Sequence, residues 1–157
     1  MKIKYISSAC IEISTTNGTI LTDPWFTNGQ YHGSWHVFPE IDPFQHISEP
    51  DYIYISHIHP DHYDPKFLHK LFDRYGVKPI LIPDIKINYL LYKGKADGFE
   101  LTPTKYLDLG DTELFIEEVN TGNIADIDSA ILINDKVNKK ICLNLNDCNF
   151  DKHHVGK

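Results

Sequence analysis

No run of apolar residues in this 157-residue chain approaches the roughly 20 needed to cross a bilayer as a helix. The N-terminal stretch carries Glu12 inside its apolar run and lacks a small-residue cleavage pattern, so it does not read as a signal peptide. Cysteine is scarce: Cys10, Cys142 and Cys148 are odd in number and have no CxxC spacing. That excludes a disulfide framework and points to a reducing, cytoplasmic setting. Basic residues are outnumbered, 15 Lys and Arg against 22 Asp and Glu, for a net charge of −7. A nucleic-acid backbone is therefore not expected as a partner. Phosphorylated small molecules stay open, because a bound cation reverses the local field. The glycine spacing of a phosphate loop is missing around Lys93-Gly94-Lys95. Repeats, low-complexity tracts and linkers are also missing, and the length suits one domain over residues 1–157 with a real core.

What is present in unusual density is metal-ligand chemistry. Ser56-His57-Ile58-His59-Pro60-Asp61-His62-Tyr63-Asp64 packs three imidazoles and two carboxylates behind the apolar run Tyr52-Ile53-Tyr54-Ile55. Imidazole nitrogen and carboxylate oxygen suit zinc and other divalent first-row metals. In extended backbone, residues two apart point the same way, so His57 and His59 can reach one ion. Pro60 then forces a turn, and Asp61 and His62 can face a second ion beside the first. Two adjacent metals can hold and deprotonate a bridging water. The bland alternative, a cluster of surface or core histidines, does not require this spacing.

The His57-x-His59-x-Asp61-His62 pattern resembles the signature of the metallo-β-lactamase superfamily. Thr19-Ile20-Leu21-Thr22-Asp23-Pro24-Trp25-Phe26 resembles the strand end that precedes the histidine loop there. Asn144-Leu145-Asn146-Asp147-Cys148 resembles the later strand whose terminal aspartate joins two metals. The pieces occur in the family's order and span about Lys2 to Phe150. Together they are similar to the branch holding ascorbate-phosphate lactonases, N-acylphosphatidylethanolamine phospholipases and CMP-N-acetylneuraminate hydroxylases. The resemblance implies an α+β fold, an αββα sandwich, here incomplete at its C-terminal end. It also implies a divalent-metal cofactor, zinc first with iron or manganese as alternatives, one ion or two.

Two further histidines common in that superfamily have no counterpart, since none stands between His69 and His153. Asn120, Asp126 and Asp128 are the local substitutes for the first. Asp128 is preferred because it opens the apolar run Ala130-Ile131-Leu132-Ile133, although a loop carboxylate facing water is the competing reading. His153 and His154 sit at the chain end and read as a frayed tail.

The rest of the chain reads as strands and two helices. Lys2–Ile6 and Cys10–Ser14 alternate, and Asn17-Gly18 signals a hairpin into Thr19-Ile20-Leu21. Residues 25–50 have no period but hold Trp25, Phe26, Tyr31, Trp35, Phe38 and Phe44. This segment reads as a folded lid or pocket wall, with an aromatic plug as the alternative. His32, His36 and His46 within it read as pocket or surface residues. A helix is expected from Pro65, capped by Asp64 and ended by Gly76, and a second one over Asp84–Lys93 with Ile85, Tyr89 and Leu90 inward. Pro79–Pro83, Glu113–Glu118, Ser129–Asn134 and Lys140–Asn144 read as strands.

The expected function is a metal-dependent hydrolase acting on an ester, lactone or phosphodiester in a small molecule. The ligands would be His57, His59, Asp61, His62, Asp147 and Asp128. Asp61 would also handle the proton of the attacking water, Asp23 would support the histidines from behind, and Trp25, Tyr31 and Trp35 would wall the substrate. One rival is a component of a sialic-acid-hydroxylase-like oxygenase, which needs a Rieske centre this chain cannot build alone. The other is a degenerate metal-binding module without turnover. Self-association is expected, because a shortened sandwich leaves apolar surface uncovered.

Overall fold

The computed structural model describes residues 1–120 and 127–148; Asp126, His153 and His154 lie outside them. Ten strands form two sheets. In the first, the order follows the chain: β1 (Lys2–Ser7), β2 (Cys10–Thr15), β3 (Gly18–Thr22), β4 (Tyr52–Tyr54), β5 (Ile80–Pro83) and β6 (Leu101–Thr104). The β1–β2 and β2–β3 pairs are antiparallel, and β3 through β6 run parallel. The second sheet is an antiparallel meander of β7 (Tyr106–Asp108), β8 (Thr112–Asn120), β9 (Ile127–Asp135) and β10 (Lys140–Asn144), in the order β10-β9-β8-β7. Between strands of the first sheet lie a distorted turn α1 (Gln30–Gly33) and a 3-10 turn at Pro43–Gln45, both before β4, and helices α2 (Pro65–Tyr75) and α3 (Tyr89–Ala96), before β5 and β6.

The central parallel strands are apolar on both faces because both faces are covered. Ile20, Tyr54 and Leu81 point into the space between the sheets, where they meet Leu114, Ile116, Ile131 and Ile133. Leu21, Ile53, Ile55, Ile80 and Ile82 point the other way, against Phe67, Leu68 and Leu71 of α2 and Leu90 of α3. The layers are thus helix, sheet and sheet, three of the four in an αββα sandwich. On the outer face of the second sheet, Tyr106, Phe115 and Leu143 are exposed among the described residues.

Local expectations hold where local chemistry governs. Asp64 caps α2 through Phe67 N, Pro65 is its first residue, and Gly76 ends it with φ 78°. The hairpin is displaced by one residue. Thr16 and Asn17 form the loop, and Gly18 already pairs with Thr15. Gly18 is required by a neighbour, since a Cβ there would lie 3.0 Å from Asp51 Oδ2. That carboxylate accepts the Thr19 amide at 2.8 Å.

The second helix begins later than the expected Asp84. Asn88 fixes its start by accepting the Leu91 amide at 3.0 Å while donating to Pro83 O at 2.8 Å. Its inward face is therefore Leu90 and Gly94, and Tyr89 is exposed. Gly94 lets α3 close on β6, because a Cβ there would meet Leu101 Cδ1 at 2.2 Å and Cγ at 2.6 Å. Gly94→Ala is expected to destabilise the protein by about 1–3 kcal/mol through overpacking, seen as a lower midpoint in urea melts followed by circular dichroism.

Candidate metal centre

The histidine loop leaves the end of β4, and Asp23 leaves the end of the adjacent parallel strand β3. The two are stitched by Asp23 N donating to Tyr54 O at 2.9 Å. Asp23 is fully buried and holds φ at 38°, a left-handed conformation that aspartate tolerates better than most residues. Its Oδ1 accepts the Ser56 amide and its Oδ2 the Ser56 hydroxyl, both at 2.8 Å.

Ser56 Oγ spends its proton on Asp23 and can only accept from its other neighbours. Those are His57 Nδ1 at 2.9 Å and His62 Nδ1 at 3.3 Å. This places a proton on Nδ1 of both rings and frees Nε2 of each from Ser56, to act as a donor to a cation in the neutral form of the ring. Asp23 Oδ2 also lies 3.2 Å from His62 Nδ1. From the second sheet, Ser129 Oγ donates to Ser56 O at 2.7 Å, and Tyr54 OH donates to Ser129 O at 2.9 Å. The site therefore forms where the two sheets are joined by polar contacts.

The freed nitrogens face a common space. His57 Nε2 lies 2.8 Å from His59 Nδ1 and 3.9 Å from Asp147 Oδ2. His62 Nε2 lies 3.6 Å from Asp61 Oδ2 and 3.4 Å from the same Asp147 oxygen. Two donor groups, His57 with His59 and His62 with Asp61, thus meet across one Asp147 oxygen. Nitrogen and carboxylate donors at these separations suit divalent cations, and His57, His62 and Asp147 each offer an atom within 4.8 Å of the others.

The electrostatics separate the two rings: His57 is held neutral, while His62 in the ion-free protein carries a proton that a bound cation would displace. Burial, and then the neighbouring His62, hold the His57 imidazole below its ordinary range, so it stays neutral as a ligand must. Burial pulls His62 down as well, but Asp23, Asp147 and Asp61 outweigh it and raise the group to about 9. Cys148 is pushed up to about 12 by burial and by Asp128 and Asp147, which keeps it a thiol.

Asp128 approaches the cluster from elsewhere than a ligand position beside His57 Nε2. Its Oδ1 lies 3.4 Å from His57 Nδ1, on the opposite side of that ring, and this buried oxygen makes no hydrogen bond among the described residues. Tyr31, expected to wall the substrate, donates its hydroxyl to Asp61 Oδ1 at 2.7 Å. Trp25 is buried and stands behind Trp35, with ring centroids 6.4 Å apart. Ser56 and Ser129 carry no signal beyond residue type and were not anticipated; the position between a strand end and His57 is the one clue to Ser56.

Asp64 anchors the far side of the loop. Its carboxylate accepts the Phe26 and Thr27 amides at 3.0 and 2.7 Å, the Thr27 hydroxyl at 2.9 Å and the Phe67 amide at 3.0 Å. Asp64→Ala removes a helix cap and strands buried donors, so a loss of about 2 kcal/mol or more is expected in chemical denaturation.

Residues 2–138 match the family model described as beta-lactamase superfamily domain. Cytidine monophosphate-N-acetylneuraminic acid hydroxylase of Xenopus laevis is 27% identical over 155 residues, covering 94% of this chain and 26% of that protein. Among solved structures, a candidate metal-dependent hydrolase from Veillonella parvula superposes with a TM-score of 0.72 at 13% identity, covering 95% of this chain and 63% of the other. A diiron beta-hydroxylase from Streptomyces venezuelae superposes at 0.71 and 20% identity, covering 96% and 30%. The chain spans less than a third of the length of the curated relatives it is compared with, from 13% to 30%.

Proposed function

This chain belongs to the beta-lactamase superfamily, and from that premise we propose that it is a metal-dependent hydrolase of an ester, lactone or phosphodiester. The observation that carries the proposal is the pairing of His57 with His59 and of Asp61 with His62 around one Asp147 oxygen. His57 and His59 would hold one ion, Asp61 and His62 a second, and Asp147 would serve as a ligand beside them. When bound, zinc or a similar divalent ion supplies an acidified water and polarises the scissile group.

The protein's own groups divide the remaining work. Tyr31 occupies Asp61 Oδ1, so Oδ2 is the oxygen that faces the cluster and is available to orient a water or accept its proton. Asp23 and Ser56 fix the tautomers of His57 and His62, and Asp128 backs the His57 ring as a positioning group. Trp35 and Tyr31, packed at a 54° tilt with centroids 4.8 Å apart, form the substrate wall beside Asp61.

The test is metal content after zinc loading, followed by assay against phosphodiester, lactone and carboxylic-ester substrates. Wild-type protein is expected to hold two ions and turn over one of these classes, and His59→Ala to lose at least one ion and most of the activity. Full loading and activity in His59→Ala would sink the assignment. Ser56→Ala frees both ring tautomers, and ion affinity is expected to fall about 10–100-fold. Competition against a chromogenic zinc chelator reads this without reference to turnover.

A second reading has its own support. One relative is a hydroxylase and one structural neighbour a diiron beta-hydroxylase. Two imidazoles with a carboxylate also suit iron. On that reading the domain works with a Rieske centre supplied by other protein segments, because Cys10, Cys142 and Cys148 form no paired ligand set. Iron retained in preference to zinc after purification, with no hydrolysis of any substrate class, would favour it.

A further inference from the structure

We propose that the metal centre opens into a two-compartment groove whose outer compartment receives a planar, uncharged ring with hydrogen-bonding edges. This deepens the hydrolase reading and rests on it for the identity of the inner compartment. The inner cavity, about 580 Å³, is lined by Asp61, His62 and Asp147 together with Asn144 and Asn146. The outer cavity, about 440 Å³, is lined by Tyr5, Trp25 and Phe38 with the hydroxyls of Ser7 and Ser34. Ser8 and Trp35 line both, so the two spaces adjoin at the Trp35 ring.

The outer compartment is built for stacking. Tyr5 is 70% exposed, Trp35 48% and Phe38 92%, a concentration of bare aromatic faces that water alone does not reward. Trp35 is held rigidly, between Trp25 behind it and Tyr31 at its side. Trp25 is itself fixed by its Nε1 donating to Thr27 O at 2.8 Å. The loop that carries Trp35 closes on itself through Gly29 N to Trp35 O at 2.8 Å and Trp35 N to Gln30 O at 3.0 Å. Tyr31 and His32 both sit in left-handed backbone, at φ 50° and 59°. Consecutive non-glycine residues in that region persist only when the surroundings impose them. A preorganised ring gives up little freedom on stacking with a ligand.

The lining also says what the guest is not. No Lys, Arg, Asp or Glu lines the outer cavity, and the one imidazole there, His36, has its Nε2 engaged with Gly33 O at 3.0 Å. Ser34 already donates its hydroxyl to Tyr31 O at 2.6 Å, but an alkyl chain would cover the Ser7 and Ser8 hydroxyls without pairing them, whereas a planar ring with polar edges uses both the aromatic faces and those hydroxyls. The substrate is accordingly elongated, with its scissile group over the acidic cluster and a ring at the far end.

The probes are 4-(4-carbamoylphenyl)butylphosphonate and an alkylphosphonate of equal length, titrated calorimetrically against zinc-loaded and zinc-free protein. The aryl probe is expected to bind about tenfold more tightly than the alkyl one, the order that ring stacking supplies, whether zinc is present or absent. Trp35→Ala and the fully surface-borne Phe38→Ala should each erode that ratio, Trp35→Ala to near unity. Equal binding of the two probes, tighter binding of the alkyl probe, or a ratio untouched by both substitutions overturns the proposal. Failure of the hydrolase reading would show separately, as absent zinc and absent turnover, while the aryl-to-alkyl ratio still decides the outer compartment.

Discussion

One buried carboxylate organises this molecule's functional end. Asp23 stands at the end of β3 and reaches the amide and hydroxyl of Ser56. Through that hydroxyl it sets both His57 and His62. A carboxylate without these partners would not survive full burial, and the serine without the carboxylate would leave two imidazole tautomers undecided. The parallel pairing of β3 with β4 brings the two residues side by side, so sheet register and ligand orientation are a single constraint. A slip of β4 by one residue would turn Ile55 toward the site in place of Ser56 and put the histidines on the wrong face.

Much of this was legible in the chain because the relevant chemistry is local. His57, His59, Asp61 and His62 lie within six residues and need only a strand end and a proline turn to converge. Asp64 announces itself as a cap by standing before Pro65. Asp147 converges from a distant strand and was visible only through its resemblance to a known pattern. Ser56 was not legible: a serine after a strand is too common to carry information, and its role appears only when Asp23 arrives from 33 positions away. The placement of Asp128 was only partly legible, for a related reason. A carboxylate at a strand start has the right chemistry for a ligand, but which side of the His57 ring it meets is a tertiary fact.

The aperiodic segment from residue 25 to 50 divides its labour in a way composition could not reveal. Its aromatic content fits both a wall and a plug, and the structure contains both. Phe26 and Phe44 pack on Phe67 and close the helix side of the core. Trp35 and Phe38 stay open to solvent, and Tyr31 turns inward to Asp61. The switch depends on left-handed backbone at Tyr31 and His32; histidine adopts it more readily than most residues, but tyrosine gives no such signal in sequence.

Charge balance gives a separate argument for how many cations the centre holds. Asp23, Asp61, Asp128 and Asp147 all lie within 4 Å of a histidine nitrogen of the cluster. With the three imidazoles neutral, those four carboxylates leave the site strongly negative. In the ion-free protein His62 answers by holding its proton to about 9, which offsets one charge. One divalent ion would offset two of the four, and two ions would offset all of them. Asp147 is 54% exposed and needs compensation least, since water screens it. The other three are buried or nearly so, where an unbalanced carboxylate is costly. A single ion would therefore leave a buried deficit that a second would remove.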